Sequence, residues 1–167
     1  MGSIFGYSPF TLSKDFEIKK GENMAESVAN ALQSVDANQN VIFTDDVITC
    51  NRGNILHRGG SGQFLLRGNV ANPTGCFARY FVICGANIAI PTGGTVEPIS
   101  LSISINGEAI PTSKGIVTPA AVGDFWNVNE FAYVTVPRGC CFTIGVQNSS
   151  GQTIEVQNAN IVINRVA

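Results

Sequence analysis

The chain has 167 residues, enough for one domain that buries a core without help from disulfides or metals. Charged residues make up only 13%, about half the usual share, while 44% are hydrophobic and Ser, Thr, Asn, Gln and Gly supply the remaining polarity. A formal charge of −2 removes any electrostatic case for nucleic acid or an anionic membrane, and the short, interrupted apolar runs exclude a bilayer-spanning helix.

The opening stretch, "MGSIFGYSPFTLSKDFEIKK", has no basic start followed by an apolar run and a small-residue cleavage site, so it does not read as a secretory signal. It carries the aromatics Phe5, Tyr7, Phe10 and Phe16 in a segment too short for a core of its own. Residues 23–35, "NMAESVANALQSV", place Met24, Val28, Leu32 and Val35 at helical spacing, with Asn23 and Glu26 set as a capping pair. This spacing predicts one helix, ended by "DANQN". Residues 1–40 therefore form an N-terminal arm. The arm either folds back on the domain or docks onto another protein through Phe5, Tyr7, Phe10, Phe16, Met24, Val28 and Leu32.

From Val41 the charges thin out, and strand and turn signals alternate about every ten residues, which predicts an all-β sandwich or barrel over 41–167. "ILHRGGSGQFLLRG" reads as two short strands around a glycine turn. "CFARYFVICGANIAI" is a long apolar run and is expected to be a central strand covered on both faces. In "ISLSISI", Ile99, Leu101, Ile103 and Ile105 alternate with Ser100, Ser102 and Ser104, so the hydroxyl face meets either water or a neighbouring subunit. Asn106-Gly107 is a two-residue hairpin signal, and Pro111 suggests an edge or a bulge on the returning strand. "FAYVTVPRGCCFTIGVQNSSGQ" sets Phe131, Tyr133 and Thr135 against Ala132, Val134 and Val136, turns at Pro137-Arg138-Gly139, and runs on to a last strand ending "IVINRVA".

Groups that suggest chemistry are few. His57, the only histidine, sits beside Arg58 with no carboxylate near it in sequence and reads as a surface or turn residue, since a general base needs an orienting partner. Asp45-Asp46 reads as an acidic loop, with a calcium ligand pair as the alternative, and Asp124 and Glu130 invite the same suggestion. "RGGSGQ" lacks the Lys-Ser/Thr of a phosphate-cradling loop. The five cysteines, one more than an even number, read as thiols of a reducing compartment, some of them core residues. Phe125, Trp126 and Asn127 offer a small sugar platform, with core or interface burial of Trp126 as the alternatives. No cofactor, metal site or enzyme activity is expected.

The stretches "ARYFVICGANIAI", "INGEAIP", "AYVTVPRGCCFTIGVQNSSG" and "ANIVINRVA" come in the order found in the tumour-necrosis-factor/complement-globular-head jelly roll, and over about three quarters of its length the chain resembles that family. "VTVPRGCCFTIGVQN" and "NANIVINRVA" look especially like small jelly-roll proteins of Firmicutes bacteria and their bacteriophages, including virion proteins and the C-terminal domains of collagen-like spore and surface proteins. Two departures stand out: Gly139-Cys140 replaces the family's usual Gly-Asp turn, and no Gly-X-Y stalk precedes the domain. The resemblance implies an all-β jelly-roll sandwich that forms a homotrimer, with Tyr80, Phe81, Tyr133 and Phe142 as candidates to line the three-fold axis. It also implies a non-enzymatic structural protein of a virion, such as a head decoration or head fibre, assembled in the bacterial cytoplasm and fastened to capsid proteins by the arm. A carbohydrate- or receptor-binding module, or a bacterial surface or spore-coat protein, are the alternatives.

Overall fold

A computed structural model describes residues 19–21 and 23–167. The aromatics Phe5, Tyr7, Phe10 and Phe16 lie outside the described residues. Thirteen strands occur among the described residues: β1 (Lys19–Gly21), β2 (Met24–Ala29), β3 (Gln33–Val35), β4 (Asp45–Cys50), β5 (Ile55–His57), β6 (Phe64–Arg67), β7 (Phe77–Ala89), β8 (Ile99–Ile105), β9 (Glu108–Ala109), β10 (Gly115–Val117), β11 (Trp126–Pro137), β12 (Cys141–Asn148) and β13 (Ile154–Arg165). They form two facing sheets. The first runs β1-β4-β2-β13-β7-β11, with β3 also pairing β13, and the second runs β10-β8-β12-β6-β5, with β9 paired to β8. All pairings are antiparallel except β1 with β4. This is the expected jelly-roll sandwich.

Between the sheets lies a continuous apolar core that includes Phe43, Phe64, Leu66, Tyr80, Ile88, Ile103 and Ile161, with Phe43 edge-on to Phe64 at 5.6 Å between ring centres. Tyr80 brings a polar tip into this core. Its hydroxyl donates toward the Arg67 carbonyl and lies 3.2 Å from the Asn54 carbonyl, tying β7 of one sheet to the ends of β5 and β6 in the other.

The helix expected over 23–35 does not form. Its residues make β2 and β3, which lie end to end along β13, separated by a bulge in that strand at Asn158, whose φ is +52°. The alternation of small residues decides it. Ala25, Ser27 and Ala29 are buried against the core while Met24, Glu26 and Val28 face outward, and β13 and β4 both need a pairing partner there. Asn23 is no helix cap; its Oδ1 accepts from Nδ2 of Asn54 at 3.0 Å. Of the arm residues within the described region, Met24 and Val28 are half-buried on the outer face of β2, and Leu32 is exposed.

The serines of β8 also differ from expectation. Ser100, Ser102 and Ser104 are buried within the protomer, with Ser100 and Ser102 hydroxyls 2.8 and 2.9 Å from Ser149 Oγ and Ser104 donating to the Gly145 carbonyl. They meet neither water nor a neighbour. The hairpin at Asn106-Gly107 is as expected, with φ of +51° and +88° at the two turn residues.

β7 is an interior strand, paired with β13 and β11 and second from the sheet's edge, but covered on one face only. Ala78, Tyr80, Val82, Cys84, Ala86 and Ile88 point into the core, whereas Phe77 and Ile83 on the other face are exposed. An apolar run long enough for two-sided burial has one side uncovered in the protomer.

Candidate functional site

The uncovered side belongs to the outer face of the first sheet, and strand register assembles it. Tyr133 of β11 lies opposite Phe81 of β7, which lies opposite Asn164 of β13, which lies opposite Met24 of β2. The next row is Phe131, Ile83, Val162 and Glu26. Cross-strand neighbours in such rows touch, and here three aromatic rings meet: Phe81 is 5.1 Å from Tyr133 and 6.3 Å from Phe131, centre to centre. Phe131 and Tyr133 are each 65% exposed, an unusual state for rings already gathered into a cluster. At one end of the patch the Arg79 guanidinium sits 4.7 Å over the Phe77 ring and donates Nε–H to Thr135 Oγ1. At the other end the face turns polar. Asn129 donates to Asn127 at 2.7 Å, Asn127 donates to Asn87 at 3.0 Å, and Asn160 donates to Glu26 at 2.9 Å.

β11 is the edge of this sheet, twelve residues long. A long edge carrying exposed aromatics is a surface that native proteins ordinarily cover.

Of the four residues expected to line an axis, Phe81 and Tyr133 meet on this face. Tyr80 is fully buried, and burial raises its phenol pKa above the ordinary value. Its neighbour Phe81 takes the outward position because successive strand residues alternate. Phe142 lies on β12 of the opposite sheet, half-buried against the core. Phe131 and Ile83, not singled out from the sequence, complete the patch; the alternation "FAYVTV" already set Phe131 beside Tyr133.

The suggested sugar platform is split. Asn127 points to the outer face, where it joins the amide ladder, whereas Trp126 lies in register with inward-facing Ile88 and is half-exposed at the end of the sandwich.

His57 is not a surface residue. Its side chain is 4% exposed and stacks on Phe64 at 4.1 Å, and Nδ1 lies 2.6 Å from Asp46 Oδ1, which also accepts from Ser27 Oγ at 2.6 Å. The carboxylate absent from the local sequence comes from β4 in the first sheet, which faces β5 of the second. Serine, aspartate and histidine gather here without the order a nucleophile requires: Ser27 bonds Asp46 rather than the imidazole, and Nε2 is 3.0 Å from the Ser61 carbonyl. The cluster fastens the first sheet to the β5–β6 hairpin. Asp45 and Asp46 do not converge as a pair: Asp46 is engaged with His57, while Asp45, next on the strand and so on its other face, accepts from Thr44 Oγ1. Glu130 is buried on the inner face of β11, accepting from Cys84 Sγ at 2.8 Å, and is no partner for exposed Asp124. Among the described residues, no group of three or more His, Cys, Asp or Glu could hold a metal ion.

Neither a family model nor a curated protein matches the chain. Solved structures do. The globular domain of zebrafish complement 1qA protein superposes with a TM-score of 0.58 at 11% identity, covering 88% of this chain and 98% of that one. The Eiger TNF of S. frugiperda gives 0.59 at 10%, covering 87% and 92%, and murine APRIL gives 0.57 at 10%, covering 86% and 99%. The fold is the TNF/complement-head jelly roll. At such identities the likeness is one of fold alone.

Proposed function

We propose that the chain is a non-enzymatic structural protein that assembles as a homotrimer through the aromatic outer face of its first sheet. The observation that carries this is the Phe81, Phe131 and Tyr133 cluster, formed within one protomer yet open to solvent on an edge strand. Burying such rings against copies of the same chain supplies the association energy, since aromatic side chains dominate interface energetics. The jelly-roll fold and the one-sided burial of β7 support the same reading. Sedimentation of the full chain tests it. The wild type is expected at three times the 17.7 kDa chain mass, and Phe131→Glu with Tyr133→Glu is expected at one. A wild-type protein that sediments as a monomer at tens of micromolar overturns the reading.

The particle we favour is a bacteriophage virion, with the trimer as a head decoration or head fibre and the N-terminal residues, including Phe5, Tyr7, Phe10 and Phe16, as the segment that fastens it to the capsid. Support comes from the resemblance of "VTVPRGCCFTIGVQN" and "NANIVINRVA" to phage jelly-roll proteins and from the low charge. Capsid and portal genes beside the coding sequence, and the protein in purified particles, are the expected findings. Sporulation genes in their place would make it a spore-coat or surface protein.

A further inference from the structure

Along one side of the sandwich β10, an edge of the second sheet, packs on β11, an edge of the first. β10 is three residues long and pairs only with β8 among the described residues, whereas β11 is paired with β7 along all twelve of its residues. The short strand lies within a strap, residues 114–118, that is fixed at both ends. Before it Ser113 is buried, and its Oγ accepts from the Ile103 N–H at 3.0 Å and donates to the Ile110 carbonyl at 2.9 Å. After it Pro119 is buried. Between these points Gly115 and Val117 face inward, and Ile116 faces solvent.

Beneath the strap lies Glu130, 3% exposed. Its Oε2 accepts from Cys84 Sγ, and its Oε1 has no hydrogen-bond partner. Gly115 covers that oxygen. A Cβ there would come within 2.8 Å of Oε1 and 3.3 Å of Cγ, so a glycine is what lets the strap close over the carboxyl. Little else near it titrates. β8, β10 and the one-turn 3-10 helix Pro111–Ser113 contain no titratable residue, and Lys114, the one charged residue of the strap, is exposed. On the other strands packed with β11, Arg79 faces outward like Tyr133 of β11 itself, while Tyr80 and Cys141 lie farther along, toward Arg67. An ionised Glu130 would therefore hold one oxygen away from water with no donor to meet it, a costly state that a protonated carboxyl avoids. Lifting the strap is the least costly relief, because it breaks a three-residue ladder and leaves the twelve-residue one intact.

We infer that the strap 114–118 is a proton-controlled gate over Glu130: it stays shut while the carboxyl carries its proton and opens increasingly as that proton is lost, admitting water to Oε1 and to the Cys84 thiol. Burial pushes the Glu130 pKa up to about 7, which places the change near neutral pH. The sign follows from a closed-state pKa above that of the open, hydrated carboxyl: opening is least frequent below the ordinary carboxylate range and gains as pH rises toward 7. The strap covers the inner side of β11, away from the aromatic rows, so the inference does not rest on trimer formation.

Amide hydrogen exchange of the full chain at pH 5 and pH 8, corrected for the intrinsic effect of pH, tests it. Protection of residues 115–118 should fall on the order of fiftyfold between the two. At both pH values these amides should exchange faster than those of β7 and β13, and low urea should not speed them, as befits a local opening. Glu130→Gln removes the titration and should leave 115–118 equally protected at pH 5 and pH 8. Gly115→Ala presses a methyl group toward Oε1 and should lower their protection already at pH 5. The inference is overturned if wild-type protection of 115–118 is the same at both pH values, if those amides exchange together with β7 and β13, or if Glu130→Gln keeps the fall. Should Glu130→Gln fail to fold, Gly115→Ala decides: a strap as protected at pH 5 as in the wild type overturns the inference.

Discussion

Glu130 sets a carboxyl in the core where a Cβ on Gly115 would lie 2.8 Å from its Oε1, and that oxygen has no hydrogen-bond partner. Burial pushes its pKa up to about 7 from an ordinary 4.5, with the Cys84 thiol opposing the rise. Burial and the nearby Glu130 in turn push the Cys84 thiol well above its own ordinary value, so it remains a donor. Between those two pH values the folded chain holds a proton that the unfolded chain releases. The stabilisation is therefore complete below about pH 4.5 and is lost as pH rises through 7, a loss of about 3 kcal/mol. Urea unfolding at pH 5 and pH 8 should show this fall in the wild type, and Glu130→Gln should flatten it whatever that variant's absolute stability. His57 works differently, as a brace between sheets. His57→Ala removes one partner of Asp46 and the ring stacked on Phe64, and should lower unfolding free energy by about 2 kcal/mol in the same assay.

At the scale of elements, the sequence was most readable where side-chain period and turn chemistry agreed. The apolar row of β8, the Asn-Gly turn after it and the Phe/Tyr alternation of β11 appear as expected, whereas the serine row of β8 is buried. Replacing Gly107, at φ +88°, by Val should cost about 1–2 kcal/mol, seen as a lower urea midpoint, because a branched side chain resists that conformation. Legibility failed at Met24–Ala29. Met24, Val28, Leu32 and Val35 match a helix as a row of large side chains, whereas the signal that mattered was the row of small ones, Ala25, Ser27 and Ala29, lying flat against the core. Small residues score weakly in any hydrophobic pattern, and what settles the matter, the open sides of β13 and β4, lies far along the chain. The His57–Asp46 pair leaves no local signal either: eleven residues separate the partners, and only the packing of β5 in one sheet against β4 in the other brings them together. A doubly apolar strand does not disclose which of two adjacent rings faces inward; the structure turns Tyr80 into the core and Phe81 outward.

For the whole molecule, the assembly proposed through the aromatic face links stability to association. Binding of folded copies to one another raises the melting temperature with protein concentration. Calorimetric scans across a hundredfold range should show that rise in the wild type and none in the Phe131→Glu, Tyr133→Glu variant. Topology carries a further consequence. β13 is threaded between β2 and β7, and every other strand precedes it. While the chain emerges from a ribosome, the second sheet has all its strands available before the first can close. Until residues 154–165 arrive, β2 and β7 stand apart with the inner rows that β13 will join still open, so the nascent protein passes through an interval in which one layer waits for its keystone and is vulnerable to pairing with the wrong neighbour.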